Sequence, residues 1–155
     1  MNLYIEGYRS NNKDLVRDLT DASYYYAFCL LGNRMVNSDN LIVDIQLVKD
    51  MKQKSGAYGF CSITGSLTQP REFQIELDTS MKHERHHVLT WLAHEFVHLK
   101  QFLRKELWDY DDNTTQWKTK RYKLNTITYD DAPWEKEAYR LERKLYKVYM
   151  EQYYE

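Results

Sequence analysis

Two histidines and a glutamate lie at a spacing that suits metal chemistry. The run 93–98 reads A-H-E-F-V-H and contains His94, Glu95 and His98. Residues four apart on an α-helix lie on one face, so the imidazoles of His94 and His98 can hold a single ion between them. Glu95 projects from a neighbouring face, where its carboxylate can take a proton from a metal-bound water. The H-E-x-x-H pattern is typical of zinc hydrolases, but it also arises by chance, so the surrounding elements must decide.

A long helix is predicted around this motif, from about His83 to about Lys105, with two distinct faces. The apolar face consists of Val88, Leu89, Leu92, Phe96, Leu99 and Leu103. The second face consists of His87, Trp91, His94, His98 and Phe102. Such a helix is expected to pack on a core with the first face and to line a cleft with the second. The alternative is an ordinary amphipathic helix with exposed histidines. His83, His86 and His87 are expected to be exposed rather than ligands, because no acidic or Cys partner lies at helical spacing.

A third ligand is needed, because a catalytic zinc ion takes three protein ligands and leaves one position to water. Glu135 and Glu137 are the candidates. They follow Pro133, which suits the first turn of a helix that continues to the C-terminus. Both lie at the margins of that helix's buried stripe, and their spacing does not separate them. The alternative for each is a first-turn carboxylate that interacts with the helix dipole.

The motif followed by a second helix that begins Glu135-x-x-Ala138 resembles the gluzincin arrangement of small zincin metallopeptidases. The nearest likenesses are the minigluzincins, the SprT-like and ImmA/IrrE-like proteases, and their phage-encoded relatives. The resemblance covers about residues 73–149. In several of these families the third ligand is the first Glu of a Glu-x-x-Ala pattern, which selects Glu135 here. These families frequently have Asp or Asn one residue after that Ala, whereas this chain has Tyr139.

The resemblance implies a zinc-dependent metallopeptidase with one Zn²⁺ per chain, held by His94, His98 and Glu135. Glu95 is the expected general base, and the expected partner is a peptide or protein substrate. A donor to the transition state is also expected, and the sequence does not rank Tyr129, Tyr122 and Tyr139 for that role. The long segment between the two helices could cover the cleft and make the site latent.

The order of elements predicts an α+β, zincin-like fold: a small mixed sheet packed with an N-terminal helix, the H-E-x-x-H helix and a C-terminal helix that carries the Glu ligand. Strands are expected at about 3–8, 41–48, 56–64 and 72–77, and the first helix is expected from Asn11 or Asn12 to Gly32. The segment 107–124 is expected to be a loose hairpin or loop. The strand 72–77 is expected either to form the cleft edge, where a peptide could pair with it, or to lie in the sheet interior.

Composition limits the other possibilities. The chain has 155 residues, with 22 basic and 23 acidic side chains and a net charge of −1. One domain over residues 1–155 is expected, as a monomer. A balanced charge gives no bulk attraction to nucleic acid, and no apolar run is long enough to span a membrane. Cys29 and Cys61 suit buried free thiols in a reducing compartment better than a disulfide, which favours the cytoplasm.

Two further classes remain open. In one, the chain binds zinc and recognises a peptide without cleaving it. In the other, the motif is accidental and the aromatic C-terminal segment 146–155 binds a partner protein. Loss of hydrolysis on Glu95→Gln distinguishes the peptidase from the first alternative, and sensitivity to a chelator distinguishes it from the second.

Overall fold

Alternating apolar residues build a four-stranded sheet in the computed structural model, which describes residues 1–153. The strands are Asn2–Gly7 (β1), Ile42–Val48 (β2), Gly59–Ile63 (β3) and Glu72–Asp78 (β4). They pair in the order β1-β2-β4-β3. The first two strands and β4 are parallel, whereas β3 runs antiparallel to β4 and forms an edge. The expected small mixed sheet is confirmed.

Three long helices pack with this sheet. The α-helices are Lys13–Leu31 (α1), Asn33–Val36 (α2), Met51–Ser55 (α3), Arg85–Leu103 (α4) and Pro133–Tyr153 (α5). The side chain of Asn12 caps α1 by accepting a hydrogen bond from the backbone N–H of Leu15 at 3.0 Å. Gly32 ends the helix with a φ of 87°, a backbone conformation that favours glycine. The cap and stop predicted for this helix are confirmed.

The main core lies between the sheet and helices α1, α4 and α5. All six residues of the apolar face predicted for α4 are buried. On β4, Phe73, Ile75 and Leu77 are buried, and the residues between them point to the other face of the sheet. The central helix α4 contacts α1, α5, β3 and β4, so it is fixed from several sides. A helix held in this way gives its side chains precise positions.

The segment between α4 and α5 is more ordered than the sequence predicts. Three short strands, Leu107–Asp109 (β5), Thr114–Trp117 (β6) and Lys120–Lys123 (β7), form an antiparallel sheet. Leu107 and Trp117 bury their side chains together with Ala132 and Trp134 in a second, smaller core. Of the two alternatives expected for 107–124, the hairpin is confirmed and the loose loop is wrong. Strands of three or four mostly polar residues give too little alternation to be recognised.

The strand order decides between the two alternatives for strand β4. It lies in the sheet interior, which confirms that alternative, and β3 takes the edge position. One placement differs from the sequence prediction. Cys29 is exposed, because it lies on the outer side of the last turn of α1, whose Leu30 and Leu31 pack against the core. Cys61 is buried as expected, and both cysteines are free thiols.

The described part of the chain is therefore α+β, with a small sheet and five α-helices, which confirms that part of the fold prediction. Among residues 1–153, no helix combines the length and the apolar character needed to cross a membrane.

Candidate metal centre

The two histidines of the motif converge inside the protein. His94 and His98 lie one turn apart on α4 and are buried, with 6% and 8% of their surface exposed. Their Nε2 atoms are 3.1 Å apart. Burial excludes the alternative of an amphipathic helix with exposed histidines. Two buried imidazole nitrogens that face each other need a proton or a metal ion between them, because both cannot present a lone pair to the other.

Glu135 completes the group from the first turn of α5. Its Oε2 lies 3.1 Å from Nε2 of His94, and its Oε1 lies 3.1 Å from Nε2 of His98. One ligand atom from each of the three residues falls within 4.8 Å of the others, so this group could hold a metal ion. Ala138 follows on the same helix and is fully buried, which lets α5 approach α4 closely.

Glu137, the other candidate, lies elsewhere. Its Oε1 accepts hydrogen bonds from Lys100 Nζ at 2.9 Å and from Gln101 Nε2 at 3.3 Å. These contacts lower the pKa of Glu137 against the opposing effect of burial. The structure therefore brings Glu135, and not Glu137, to the two histidines.

Two residues orient the histidines from behind, and the sequence reasoning missed both. Oε2 of Glu142 lies 2.7 Å from Nδ1 of His94, and Oε1 of Gln101 lies 2.8 Å from Nδ1 of His98. Because these oxygens accept, each Nδ1 donates its proton and leaves Nε2 facing the group. Gln101 is fixed in this orientation because its Nε2 donates to the Trp134 carbonyl at 3.0 Å.

A sequence signal existed for one of them. Glu142 lies seven residues after Glu135, two turns along the same helix face. It supplies the contact that Tyr139 cannot make. Gln101 gave no signal, since a Gln three residues after a His is unremarkable without its tertiary partners.

The charges of the group are strongly coupled. Burial lowers the pKa of His94, but the hydrogen bonds to Glu135 and Glu142 outweigh it and raise the pKa to about 10. Burial likewise lowers the pKa of His98, but the hydrogen bond to the Glu135 carboxylate outweighs this effect, and the pKa of His98 is raised. Burial favours neutral Glu135, yet the two imidazoles hold its pKa at about 2. The Glu135 carboxylate thus favours a proton on the imidazoles when no metal is bound, and the donor atoms of the three residues already lie together.

Glu95 lies beside this group and is held in a tight space. Only 5% of its surface is exposed. A Cβ at Gly59 would lie 2.8 Å from Oε1 of Glu95, so only glycine leaves room for the carboxylate at the start of β3. Burial raises the pKa of Glu95, and the nearby charges of His98 and His94 oppose the shift. A buried carboxylate with a raised pKa is suited to accept a proton and release it again.

A cleft of about 620 Å³ opens onto the site and is lined by His94, Glu95 and Glu142. Tyr129 and Tyr139 line the same cleft and are 60% and 38% exposed. Burial and the charge of Glu135 raise the pKa of Tyr129. The third tyrosine candidate, Tyr122, packs against Trp134 in the small second core, with ring centroids 5.7 Å apart.

The opposite end of the cleft has an aromatic wall. Trp91 stacks on Tyr58 with ring centroids 4.1 Å apart, and the His83 ring meets Trp91 edge-on at 4.9 Å. His83 is half-buried and lies 3.3 Å from the Asp78 carboxylate, so it was wrongly expected to be exposed. His86 and His87 are exposed, as predicted.

Fold and site together define an α+β domain with a buried His–His–Glu group that could hold a metal ion and an adjacent buried glutamate. No protein-family model matches the chain, and no curated protein or solved structure is significantly similar to it.

Proposed function

We propose that this chain is a zinc-dependent metallopeptidase of the gluzincin type with a zincin-like fold. The observation that carries the proposal is the convergence of three buried ligand atoms, from His94, His98 and Glu135, next to the buried carboxylate of Glu95. Two simpler interpretations do not account for this convergence. One is that the histidines lie on a solvent-exposed helix face, and the other is that Glu135 only interacts with the dipole of its helix. The order of elements, with the motif helix followed by a helix that opens on Glu135, also supports the gluzincin comparison.

The donor set fits zinc. Two imidazole nitrogens and one carboxylate are common ligands of catalytic zinc, and the fourth position is left to water. Around a tetrahedral ion with bonds of about 2.0–2.1 Å, neighbouring ligand atoms lie about 3.3 Å apart. The two Nε2 atoms lie 3.1 Å apart, and each contacts a different oxygen of Glu135 at 3.1 Å. With one ligand atom taken from each residue, the three atoms fall within 4.8 Å of one another, which is near the spacing that the ion requires. The same donors also suit non-haem iron, but the buried Glu95 favours hydrolysis, which needs a base.

The residues then have separate tasks. Zinc, when bound, would lower the pKa of a water molecule and polarise a peptide carbonyl. Glu95 accepts the proton of the attacking water at Oε and passes it to the leaving amine. The phenols of Tyr129 and Tyr139 face the cleft, where one can donate a hydrogen bond to the carbonyl oxygen. Glu142 and Gln101 hold the imidazoles in the tautomer that presents Nε2.

A peptide substrate is supported by the edge strand β3. An edge strand has backbone N–H and C=O groups on one side that no neighbouring strand uses, and an extended peptide can pair with them. Gly59 at the start of this strand lies against Glu95, so a paired peptide would pass the base. The two free thiols also favour a reducing compartment such as the cytoplasm.

The decisive test compares the wild-type chain with Glu95→Gln after loading with zinc. Zinc content is measured by mass spectrometry, and hydrolysis is measured on a mixed peptide library. We expect one zinc per chain in both proteins and a loss of at least about 100-fold in turnover for the variant. Glu84→Gln, an exposed change at the start of the same helix, is the matched control and should retain activity.

Other results would point elsewhere. Turnover retained in a folded, zinc-loaded Glu95→Gln protein would remove Glu95 from the mechanism. Zinc bound by wild-type protein that cleaves no peptide would favour the non-catalytic, peptide-recognising alternative. Failure to bind zinc at all would leave the interaction-protein reading, in which the aromatic helix α5 recognises a partner; Tyr154 and Glu155 of that segment lie outside the described residues.

A further inference from the structure

A second groove adjoins the edge strand, away from the metal group. It has a volume of about 340 Å³ and lies between β3 on one side and β5 with the following turn on the other. Its apolar lining includes Phe60, Leu67 and Trp108. Phe60 and Leu67 are 58% and 59% exposed and line the same groove, so they form a contiguous apolar surface and are not scattered exposed residues. The small sheet β5-β6-β7 therefore builds one wall of an open apolar groove.

The charge of the groove is one-sided. Asp109 and Asp111 line it, and none of the lining residues is basic. Asp109 accepts a hydrogen bond from Thr115 at 2.8 Å, which fixes its position on the rim. Arg121 stacks on the ring of Tyr110 and lies 3.9 Å from Asp112, but it does not line the groove. The groove thus combines an apolar floor with an acidic rim, and a bulky apolar group next to a positive charge complements it.

Strand β3 connects the groove to the metal cleft. Tyr58 and Gly59 line the cleft, whereas Phe60 to Ile63 line the groove. A peptide paired with the free edge of β3 would advance about 3.3 Å per residue. Starting beside Glu95 at Gly59, it would reach the groove within two to four residues. The metal cleft and the groove therefore both lie along the path of one extended peptide.

We propose that this groove is a specificity subsite that takes a bulky apolar side chain of the substrate, with a basic residue beside it, two to four residues from the cleaved bond. The inference rests on the proposed peptidase function. It commits the site to substrates with an adjacent apolar–basic pair, such as Phe-Lys or Leu-Arg. The acidic rim disfavours substrates with carboxylates at the same positions.

The test uses zinc-loaded full-length protein and fluorogenic peptides in which a Phe-Lys pair is moved along an Ala/Gln background. Matched peptides carry Ala in place of Phe, or Gln in place of Lys. We expect kcat/KM to be about tenfold higher when the pair lies two to four residues from the cut, on one side only. Equal rates for all positions of the pair would overturn the proposal.

Variants locate the effect in the groove. Leu67→Ala changes a largely exposed side chain and should keep the fold, while reducing the preference for Phe over Ala at least about threefold. Leu124→Ala, at another exposed leucine that does not line the groove, is its matched control. Asp111→Asn should reduce the preference for Lys over Gln, and Asp21→Asn on the exposed side of α1 should not. An unchanged preference in both groove variants would contradict the assignment.

A binding measurement separates this proposal from the peptidase proposal. Fluorescein-labelled versions of the same peptides are titrated with zinc-loaded Glu95→Gln protein, and fluorescence polarisation is read. Tighter binding of the Phe-Lys peptide, weakened by Leu67→Ala, supports the groove even if the wild type cleaves nothing. Cleavage by the wild type without such selectivity retains the peptidase and rejects the groove. The groove proposal would also be rejected if the peptides bound neither the Glu95→Gln protein nor its Leu67→Ala version.

Discussion

At the scale of single residues, the site depends on atoms behind the histidines as much as on those between them. Nδ1 of His94 faces the Glu142 carboxylate at 2.7 Å, and Nδ1 of His98 faces the Gln101 amide oxygen at 2.8 Å. A ring held in this way loses little freedom when it binds an ion. Glu142 is also 9% exposed, so its charge is only weakly screened by water.

Removing this contact should weaken metal binding. We expect Glu142→Ala to lower zinc affinity about 10–100-fold, because His94 loses its orienting acceptor. Glu142→Gln keeps an oxygen that can accept from Nδ1 and should recover part of the loss. Competition with a chromophoric zinc chelator measures the affinity. Glu151→Gln, near the exposed end of the same helix, is the control. Equal affinities for the alanine variant and the wild type would show that Glu142 does not position His94.

At the scale of elements, the end of β4 is tied to the starts of α3 and α4 by one buried carboxylate. Asp78 is fully buried. Its Oδ1 accepts from the Ser80 hydroxyl at 2.6 Å, and its Oδ2 accepts from the backbone N–H of Lys52 in the first turn of α3 at 3.4 Å. His83, just before α4, lies 3.3 Å away. These elements carry the aromatic wall of the cleft, so the contacts fix its shape.

This carboxylate should make stability depend on pH. Burial by itself raises the pKa of Asp78, but the hydrogen bonds from Ser80 and Lys52, together with the nearby His83 imidazole, outweigh it and lower the pKa below the ordinary value of 3.8. The stability that ionised Asp78 contributes to the fold is therefore fully present above pH 3.8 and is lost as the pH falls through the lowered pKa. We expect Asp78→Asn to destabilise the protein by about 1–3 kcal/mol at neutral pH.

Urea unfolding between pH 2 and pH 7 measures this effect. The difference in unfolding free energy between wild type and Asp78→Asn should shrink as the pH is lowered below about 4. Asp21→Asn, which changes an exposed carboxylate on α1, should leave both the stability and its pH dependence close to wild type. A difference that stays constant over the whole range would mean that Asp78 acts through packing and not through its charge.

The sequence predicted the elements whose apolar residues follow a regular period. It failed where contacts between distant residues determine the structure. The two faces of α4 follow from 100° per residue, so its buried stripe could be predicted position by position. The edge position of β3, next to β4, could not be predicted, because strand order depends on contacts between residues far apart in the sequence. For the same reason His94, His98 and Glu135 were found from spacing and a family likeness, whereas Gln101 was not found.

At the scale of the whole molecule, the metal group joins the two helices that carry it. His94 and His98 belong to α4, and Glu135 belongs to α5 after the three-stranded insertion. Both helices also meet in the main core through residues such as Leu99 and Ala138. The packed core brings the three ligand residues together, and an ion held by them would add a further link between distant parts of the chain.

The proposed zinc ion should therefore stabilise the fold, and we expect the protein to fold without it. An ion that binds only the folded state adds RT ln(1 + [Zn]/Kd), about 2.7 kcal/mol at 100 times Kd. We expect Tm to rise with zinc concentration and to return to a lower, metal-free value with a chelator, while circular dichroism keeps its folded signature. Differential scanning calorimetry across a zinc series measures the shift. The control is Glu135→Gln, which removes one charged ligand and should flatten the dependence on zinc. A wild-type Tm that does not respond to zinc would show that zinc does not bind the folded group, and the proposed zinc-dependent catalysis by this site would then be untenable.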